Sequence, residues 1–254
     1  GEMLGHPAAT NPIWDLESSG CILVVGSNLT EEQNVVALPI KNAVREGAKL
    51  IVIDQRETDL TQLATIWLRP RPGSETSLIG GMLRTILDES LDDHEFASDH
   101  CDGLAEMKKS VTLFDLSKVS VATGIPQERV REAARIYANS SSAATLYGLE
   151  TLTPPLRTNC VRALVNLALV TGNIGKNSSG LYPMFTGTNE QGAKDVGCIP
   201  GCLPGYVKVS DDDARRNFEL LTGCEVPHQN GLGLTDLTGA IETGQIKALH
   251  VMGE

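Results

Sequence analysis

Four short polar segments carry residue types suited to gripping a large anionic ligand with hydrogen-bonding edges: Gly26-Ser27-Asn28, Asp54-Gln55-Arg56-Glu57-Thr58, Pro72-Gly73-Ser74-Glu75 and Gly148-Leu149-Glu150-Thr151. Glycine lets the backbone approach a ligand closely and takes positive φ at no steric cost. Gly26, Ser27 and Asn28 can therefore meet a pyrophosphate through backbone N–H groups; the alternative is an ordinary tight turn. Asp54, at the end of an apolar run, has the placement of a carboxylate that binds ribose hydroxyls. Gln55 beside it adds an amide. Arg56 offers a forked donor to phosphate, and Thr58 closes the segment. The alternative is that Asp54 caps a helix and Arg56 is a surface residue. Glu75 presents two parallel acceptors, which match guanine N1–H and the 2-amino group. The same acid at a helix start also suits the helix dipole. Either Asp54 or Glu75 can take the guanine part; the sequence does not choose. Gly73 and Ser74 shape the approach to Glu75, and Gly148 can bring backbone close to the ligand or simply end a strand.

A fifth segment is denser still. Thr186 to Gly197 holds Gly187, Asn189, Gln191 and Gly192 within a few residues, and Leu203-Pro204-Gly205-Tyr206 follows. Asn189 and Gln191 add donors and acceptors. The stretch from Gly172 to Gly205 is too long for an ordinary connection, which points to a functional loop.

Other chemistries find little support. The five histidines are scattered, with no pair at ligand spacing. Of six cysteines, Cys198 and Cys202 are four apart but lack the second pair a zinc site needs. Free thiols in a reducing, cytoplasmic setting are the expectation. No Walker A or Gly-x-Gly-x-x-Gly motif occurs. The formal net charge of -11 argues against nucleic acid as a partner. No apolar run is long enough to span a bilayer.

These loops need a frame. Cys21–Val25 and Lys49–Ile53 are continuous apolar runs separated by a helical pattern over Val35–Glu46, with Gly47 as the stop. Such strands fit a sheet covered on both faces, joined by a right-handed crossover. Pro39 means the helix starts late or bends. Thr65–Leu68 and Ala143–Tyr147 are further strands, and Lys247–Met252 is expected as a last one. Helices are expected over Glu75–Glu89, Pro126–Ala138, Arg157–Val170, Asp211–Leu221 and Leu234–Glu242, with two short ones in Asp92–Lys109. Trp14 and Trp67 are expected in a core or interface. The fold class is α/β, a three-layer, doubly wound, mainly parallel sheet with part of a second α/β domain. Ligands of such sheets bind beyond the carboxyl ends of the strands, where the first four segments lie.

In order, Asn11-Pro12-Ile13-Trp14, Val24-Val25-Gly26-Ser27-Asn28, Asp54-Gln55-Arg56-Glu57-Thr58, Arg71-Pro72-Gly73-Ser74-Glu75, Thr171-Gly172-Asn173-Ile174-Gly175-Lys176, Asn189-Glu190-Gln191-Gly192-Ala193-Lys194-Asp195-Val196-Gly197 and Met252-Gly253-Glu254 together resemble the molybdopterin oxidoreductases of the dimethyl-sulfoxide-reductase family. Within that family the likeness is to formate dehydrogenase alpha subunits and to the large iron–sulfur subunit of respiratory complex I. The resemblance implies a molybdopterin guanine dinucleotide carrying molybdenum or tungsten, held at Gly26, Ser27, Asn28, Asp54, Gln55, Arg56, Thr58, Gly73, Ser74, Glu75, Gly148, Asn189, Gln191 and Gly192. It implies residues 1–184 as the Rossmann-like dinucleotide domain and 185–254 as the start of its pseudo-symmetric partner. It also implies a piece of a longer protein, with an iron–sulfur cluster in a preceding part. Iron–sulfur and NADH-binding electron-transfer subunits are the expected partners. Phe185 departs from the formate dehydrogenase pattern, which has an arginine there. No catalytic or metal-ligating residue is assigned, and the isolated chain is expected to be inactive.

Overall fold

The computed structural model describes residues 3–5, 8–149, 151–185, 187 and 189–251. The chain forms two compact units, 1–186 and 187–254.

In the first unit the apolar runs form strands β1 (Cys21–Val25), β2 (Lys49–Ile53), β3 (Ile66–Leu68), β4 (Ala143–Tyr147) and β5 (Gly180–Pro183). They pair in parallel in the order β3-β2-β1-β4-β5. The chain starts in the middle, winds outward to β3, then returns to lay β4 on the other side of β1. Winding therefore reverses between β1 and β4, where open parallel sheets form a crevice.

Helices α1 (Leu29–Glu32), α2 (Asn34–Arg45), α3 (Asp59–Leu63), α4 (Glu75–Asp88), α5 (His94–His100), α6 (Leu104–Val111), α7 (Leu116–Thr123), α8 (Gln127–Ala138) and α9 (Pro154–Val170) complete the unit. Strand side chains alternate faces, and both faces are covered. Leu23, Val25, Ile51 and Ile53 pack with Leu78 and Met82 of α4, Val130 of α8 and Leu164 of α9. Ile22, Val24, Leu50 and Val52 pack with Val36 and Ile40 of α2 and with Leu16, Leu29 and Leu60. The result is the three-layer α/β arrangement that the unbroken apolar runs imply.

Local sequence sets the helix ends. The Asp115 carboxylate accepts from Ser117 N (2.9 Å) and Lys118 N (3.3 Å) to start α7. Gly124, at φ 78°, stops it. Pro126 caps α8, with Glu128 in the first turn. α2 continues through Pro39. The missing N–H deprives the Val35 carbonyl of its helix partner, but Val35 lies on the exposed side, where water can serve it.

Two expectations need correction. Trp14 lies in a 3-10 turn and is 75% exposed, so it belongs to no core. Trp67, by contrast, packs half-buried against the α2-side core, as expected. The stretch 247–251 is irregular and exposed rather than a strand. Among the described residues it pairs with no other strand, and an apolar run without a pairing partner has no ladder to join. Met252 of that expected strand lies outside the described residues.

The second unit holds α10 (Glu190–Asp195), the strands β6 (Cys202–Leu203) and β7 (Val207–Lys208), α11 (Asp212–Thr222) and α12 (Leu234–Glu242). β6 and β7 form a short antiparallel hairpin over the turn Pro204–Tyr206. Gly205 and Tyr206 both take positive φ there, 74° and 63°.

Candidate functional site

The first four polar segments follow β1, β2, β3 and β4, so all of them lie on one rim of the sheet. Backbone bonds carry the parallel ladder one residue past the strands. Gly26 N donates to Ile53 O (2.9 Å), Gly148 N to Val25 O (3.0 Å) and Asp54 N to Leu68 O (3.2 Å). The rim loops are thus held in register by the same geometry that holds the sheet.

The loops after β1 and β4 nearly touch at the winding reversal. Gly26 has φ 60°, and a Cβ there would lie 3.1 Å from Gly148 O. A Cβ on Gly148 would lie 2.9 Å from Ser27 Cβ and 3.0 Å from its Oγ. Both positions therefore need glycine, one for conformation and one for space. Ser27 and Asn28 are buried, and Asn28 Oδ1 accepts from Thr30 Oγ1 (3.0 Å). Tyr147, at the end of β4, has its phenol pushed up to about 12 by burial, so it stays a neutral donor at physiological pH.

The loops after β2 and β3 present the two acids. Asp54 and Glu75 are each only 6% exposed. Asp54 Oδ1 accepts from Arg56 N (2.8 Å) in a tight local turn. The Arg56 guanidinium, largely exposed, folds back to 3.6 Å from the same oxygen. Trp67 Nε1 donates to the Asp54 carbonyl (2.8 Å), fixing the loop from the neighbouring strand. Glu75 opens α4, and its Oε1 accepts from Gln55 Nε2 (2.8 Å) across the two loops. The other oxygen of each acid, Asp54 Oδ2 and Glu75 Oε2, is buried without a hydrogen-bond partner. Leaving an acceptor buried and unpaired costs free energy, and two such oxygens lie on this one rim. Asp54 caps no helix; that part falls to Thr58, whose N donates to Thr61 Oγ1 (3.0 Å) at the start of α3.

The Gly73 loop is pinned at both ends. Gly73 takes φ 81°, and Ser74 Oγ donates to Arg71 O (2.6 Å). Arg71 in turn donates from Nη1 to Val121 O (2.6 Å) and from its backbone N to Thr123 O (2.9 Å). On the β4 side, Arg157 donates to Leu149 O (3.1 Å) and Leu152 O (3.2 Å). Glu150 lies outside the described residues. Sequence reasoning overlooked both arginines as anchors. Arg157 carried a usable signal: a cation in the first turn of a helix opposes the dipole, so its place needs another reason. Cys160, also on α9, is buried with its thiol pushed up to about 12 by burial and, further, by the Glu75 charge.

Asn189, Gln191 and Gly192 belong to the second unit. Asn189 takes a left-handed backbone (φ 55°) ahead of α10. Gln191 Nε2 donates to Asp195 Oδ1 (2.8 Å) and Tyr206 OH (2.5 Å), and Tyr206 OH donates to Asp195 Oδ1 (2.6 Å). The polar segment is therefore knit to the Leu203–Tyr206 turn by a side-chain triangle. Thr186 and Thr188 lie outside the described residues, as do Met252, Gly253 and Glu254. Among the described residues no cluster of His, Cys, Asp or Glu could hold a metal ion, and the six cysteines are free thiols. No helix among them is long and apolar enough to cross a membrane.

The chain has counterparts among known proteins. The subunit alpha of an F420-dependent formate dehydrogenase from Methanocaldococcus jannaschii is 36% identical over 251 residues, covering 98% of this chain and 37% of that protein. Formate dehydrogenase H of Escherichia coli is 33% identical over 254 residues, covering all of this chain and 36% of its own length. The chain thus spans little more than a third of these relatives. Among solved structures, acetylene hydratase from Pelobacter acetylenicus matches with a TM-score of 0.60 and 32% identity, over 65% of this chain and 23% of that one. The sequence pattern of the molybdopterin oxidoreductases matches residues 3–254, and the chain belongs to the molybdopterin oxidoreductase family.

Proposed function

We propose that the rim of the first unit binds the guanosine diphosphate end of a molybdopterin guanine dinucleotide carrying molybdenum or tungsten, within a formate-dehydrogenase-like oxidoreductase. Residues 1–184 act as the dinucleotide domain and 185–254 open its partner. The observation that carries this reading is the pair of buried, unpartnered carboxylate oxygens at adjacent strand ends, Asp54 Oδ2 and Glu75 Oε2, beside a winding reversal where Gly26 and Gly148 let backbone approach closely. Guanosine brings donors of the matching kind: the base edge and the ribose hydroxyls. Gly26 N is spent on Ile53, so the N–H groups of Ser27 and Asn28 are assigned to the pyrophosphate. The exposed Arg56 guanidinium supplies a cation nearby. Thr58, Gly73 and Ser74 hold the loops in shape. In the second unit, taken by itself, Gln191 has its amide N–H groups engaged by Asp195 and Tyr206 and offers its carbonyl.

When bound, the pterin-held metal supplies the two-electron chemistry. The chain's own part is to grip the nucleotide tail, orient it and exclude water from the guanine edge. The electrons then pass to partner subunits of the parent protein. Metal analysis of the purified parent protein, with chromatography of the nucleotide released by acid, tests this reading. Molybdenum or tungsten together with guanosine monophosphate is expected.

One observation favours a second reading. Phe185 stands where the resemblance to formate dehydrogenases calls for an arginine, and its carbonyl is taken by the Gln33 side chain. A phenyl ring cannot donate to a carboxylate substrate. The second reading is a scaffold domain of a complex-I-type large subunit in which the cofactor site is degenerate. Its signature is a parent protein with neither metal nor guanine nucleotide that still supports electron transfer.

A further inference from the structure

We infer that Gln55 is a positioning residue that sets the spacing and orientation of the two carboxylate acceptors, and through them the preference for guanine over adenine. This inference rests on the guanosine reading above. Among the described residues Gln55 joins both acids: it follows Asp54 in the chain, and its Nε2 donates to Glu75 Oε1 at 2.8 Å, twenty residues away. That bond ties the β2 loop to the first turn of α4. It occupies Glu75 Oε1, leaving Oε2 as the unpartnered oxygen.

A carboxylate with no such tether can turn about its last torsion, which is broad and nearly two-fold. Rotation would let Glu75 trade its oxygens and settle on whatever donor is nearest. With Oε1 held by Gln55, Oε2 keeps one direction. On the other acid, Oδ1 is held by Arg56 N, so Oδ2 is likewise fixed. Each acid thus has one oxygen spent on the protein and one kept for a ligand, and Gln55 determines how far apart the two free oxygens stand. Guanine presents N1–H and N2–H donors to such an array; adenine presents an unprotonated N1 there, which a fixed carboxylate repels. The groups facing Glu75 that could blur the effect are few. Cys160 on α9 is held neutral, its thiol raised to about 12, and Arg56 lies on the Asp54 side.

The test uses the 254-residue chain and calorimetric titration with guanosine diphosphate, inosine diphosphate and adenosine diphosphate. The wild-type chain should prefer the guanine nucleotide. Gln55→Leu, which keeps the volume and removes the donor, should cut the guanine-to-adenine preference by about tenfold, the scale of one hydrogen bond to a charged group. Gln55→Glu sets two carboxylates together and should abolish the preference at pH 8. The preference should return as the pH falls and one acid of the pair takes a proton, a recovery that a general loss of structure would not give. A Gln55→Leu or Gln55→Glu chain with the full wild-type preference at pH 8 overturns the positioning role while leaving the guanosine reading intact. A wild-type chain that does not prefer guanine removes the guanosine reading, and this inference with it.

Discussion

Replacing Gly148 by alanine puts the rim geometry to the test with a single methyl group. The new Cβ would sit 2.9 Å from Ser27 Cβ, 3.0 Å from Ser27 Oγ and 3.4 Å from Met184 O. Carbon atoms prefer separations of about 3.5–4.0 Å, so roughly 0.6 Å or more must be found. Ser27 is poorly placed to yield. It is buried and lies one residue from Gly26, whose N–H is bonded to Ile53 O. Gly148 is itself held through its N–H to Val25 O (3.0 Å). The overlap therefore falls on the junction of the β1 and β4 loops, and overpacking of this kind costs about 1–3 kcal/mol. For a chain of this size each kcal/mol shifts the melting midpoint by roughly 2–4 °C. Thermal unfolding followed by circular dichroism should show Gly148→Ala melting about 2–12 °C below wild type. Gly239→Ala is the control. A Cβ there meets nothing within 4 Å and the residue lies inside α12, so it should be neutral or slightly stabilising. Equal melting of Gly148→Ala and wild type would refute the close approach of the two loops and the crevice built on it.

The same structure sets other outcomes. Glu75→Gln removes a buried charge whose Oε2 has no partner, so the ligand-free chain should melt higher, by about 1–3 °C, while losing its preference for guanosine diphosphate; calorimetry and thermal unfolding read the two effects side by side. Thiol labelling should be fast at the exposed Cys198 and Cys224 and negligible at Cys21 and Cys160 until the chain is unfolded, since both of the latter are buried with thiols raised to about 12 by burial. Stability should fall at both ends of the pH scale. The Asp115, Glu89 and Asp212 carboxyls are depressed in the folded chain, chiefly by bonds to Ser117, Arg135 and Arg215. Their contribution is present above the unfolded carboxylate range, near pH 4, and is lost as the pH drops through the lower folded values. Cys21 and Cys160 act in the opposite sense: their contribution is whole below about pH 8.5 and is lost as the pH rises toward 12. Denaturant midpoints measured from pH 3 to pH 11 should trace that dome.

Much of the frame was legible because burial on both faces writes itself as unbroken apolar runs. Cys21–Val25, Lys49–Ile53 and Ala143–Tyr147 are strands with those bounds. The same runs located the rim, since each ends in a polar loop. β5 escaped notice: Gly180 to Pro183 is four residues, one glycine and one proline among them, and only its pairing with β4 makes it a strand. Lys247–Val251 erred the other way, an apolar stretch with no neighbour among the described residues. At the rim, the types and places of Asp54, Glu75, Gly26 and Gly148 could be read from the chain. Which carboxylate oxygens are spent and which remain could not, because that depends on the Gln55–Glu75 bond between loops twenty residues apart. Nor could the Arg71 anchor, which acts through backbone carbonyls that carry no side-chain signature; Arg157 showed only as a cation oddly placed in a first helical turn.

Hydrogen–deuterium exchange of the chain with and without guanosine diphosphate tests the central claim most directly, because it reports where the nucleotide sits. Protection is expected together at residues 26–28, 54–56, 73–75 and 147–149, with adenosine diphosphate giving less. Protection confined to other segments, or none at saturating nucleotide, would contradict the assignment of this rim to the guanosine tail.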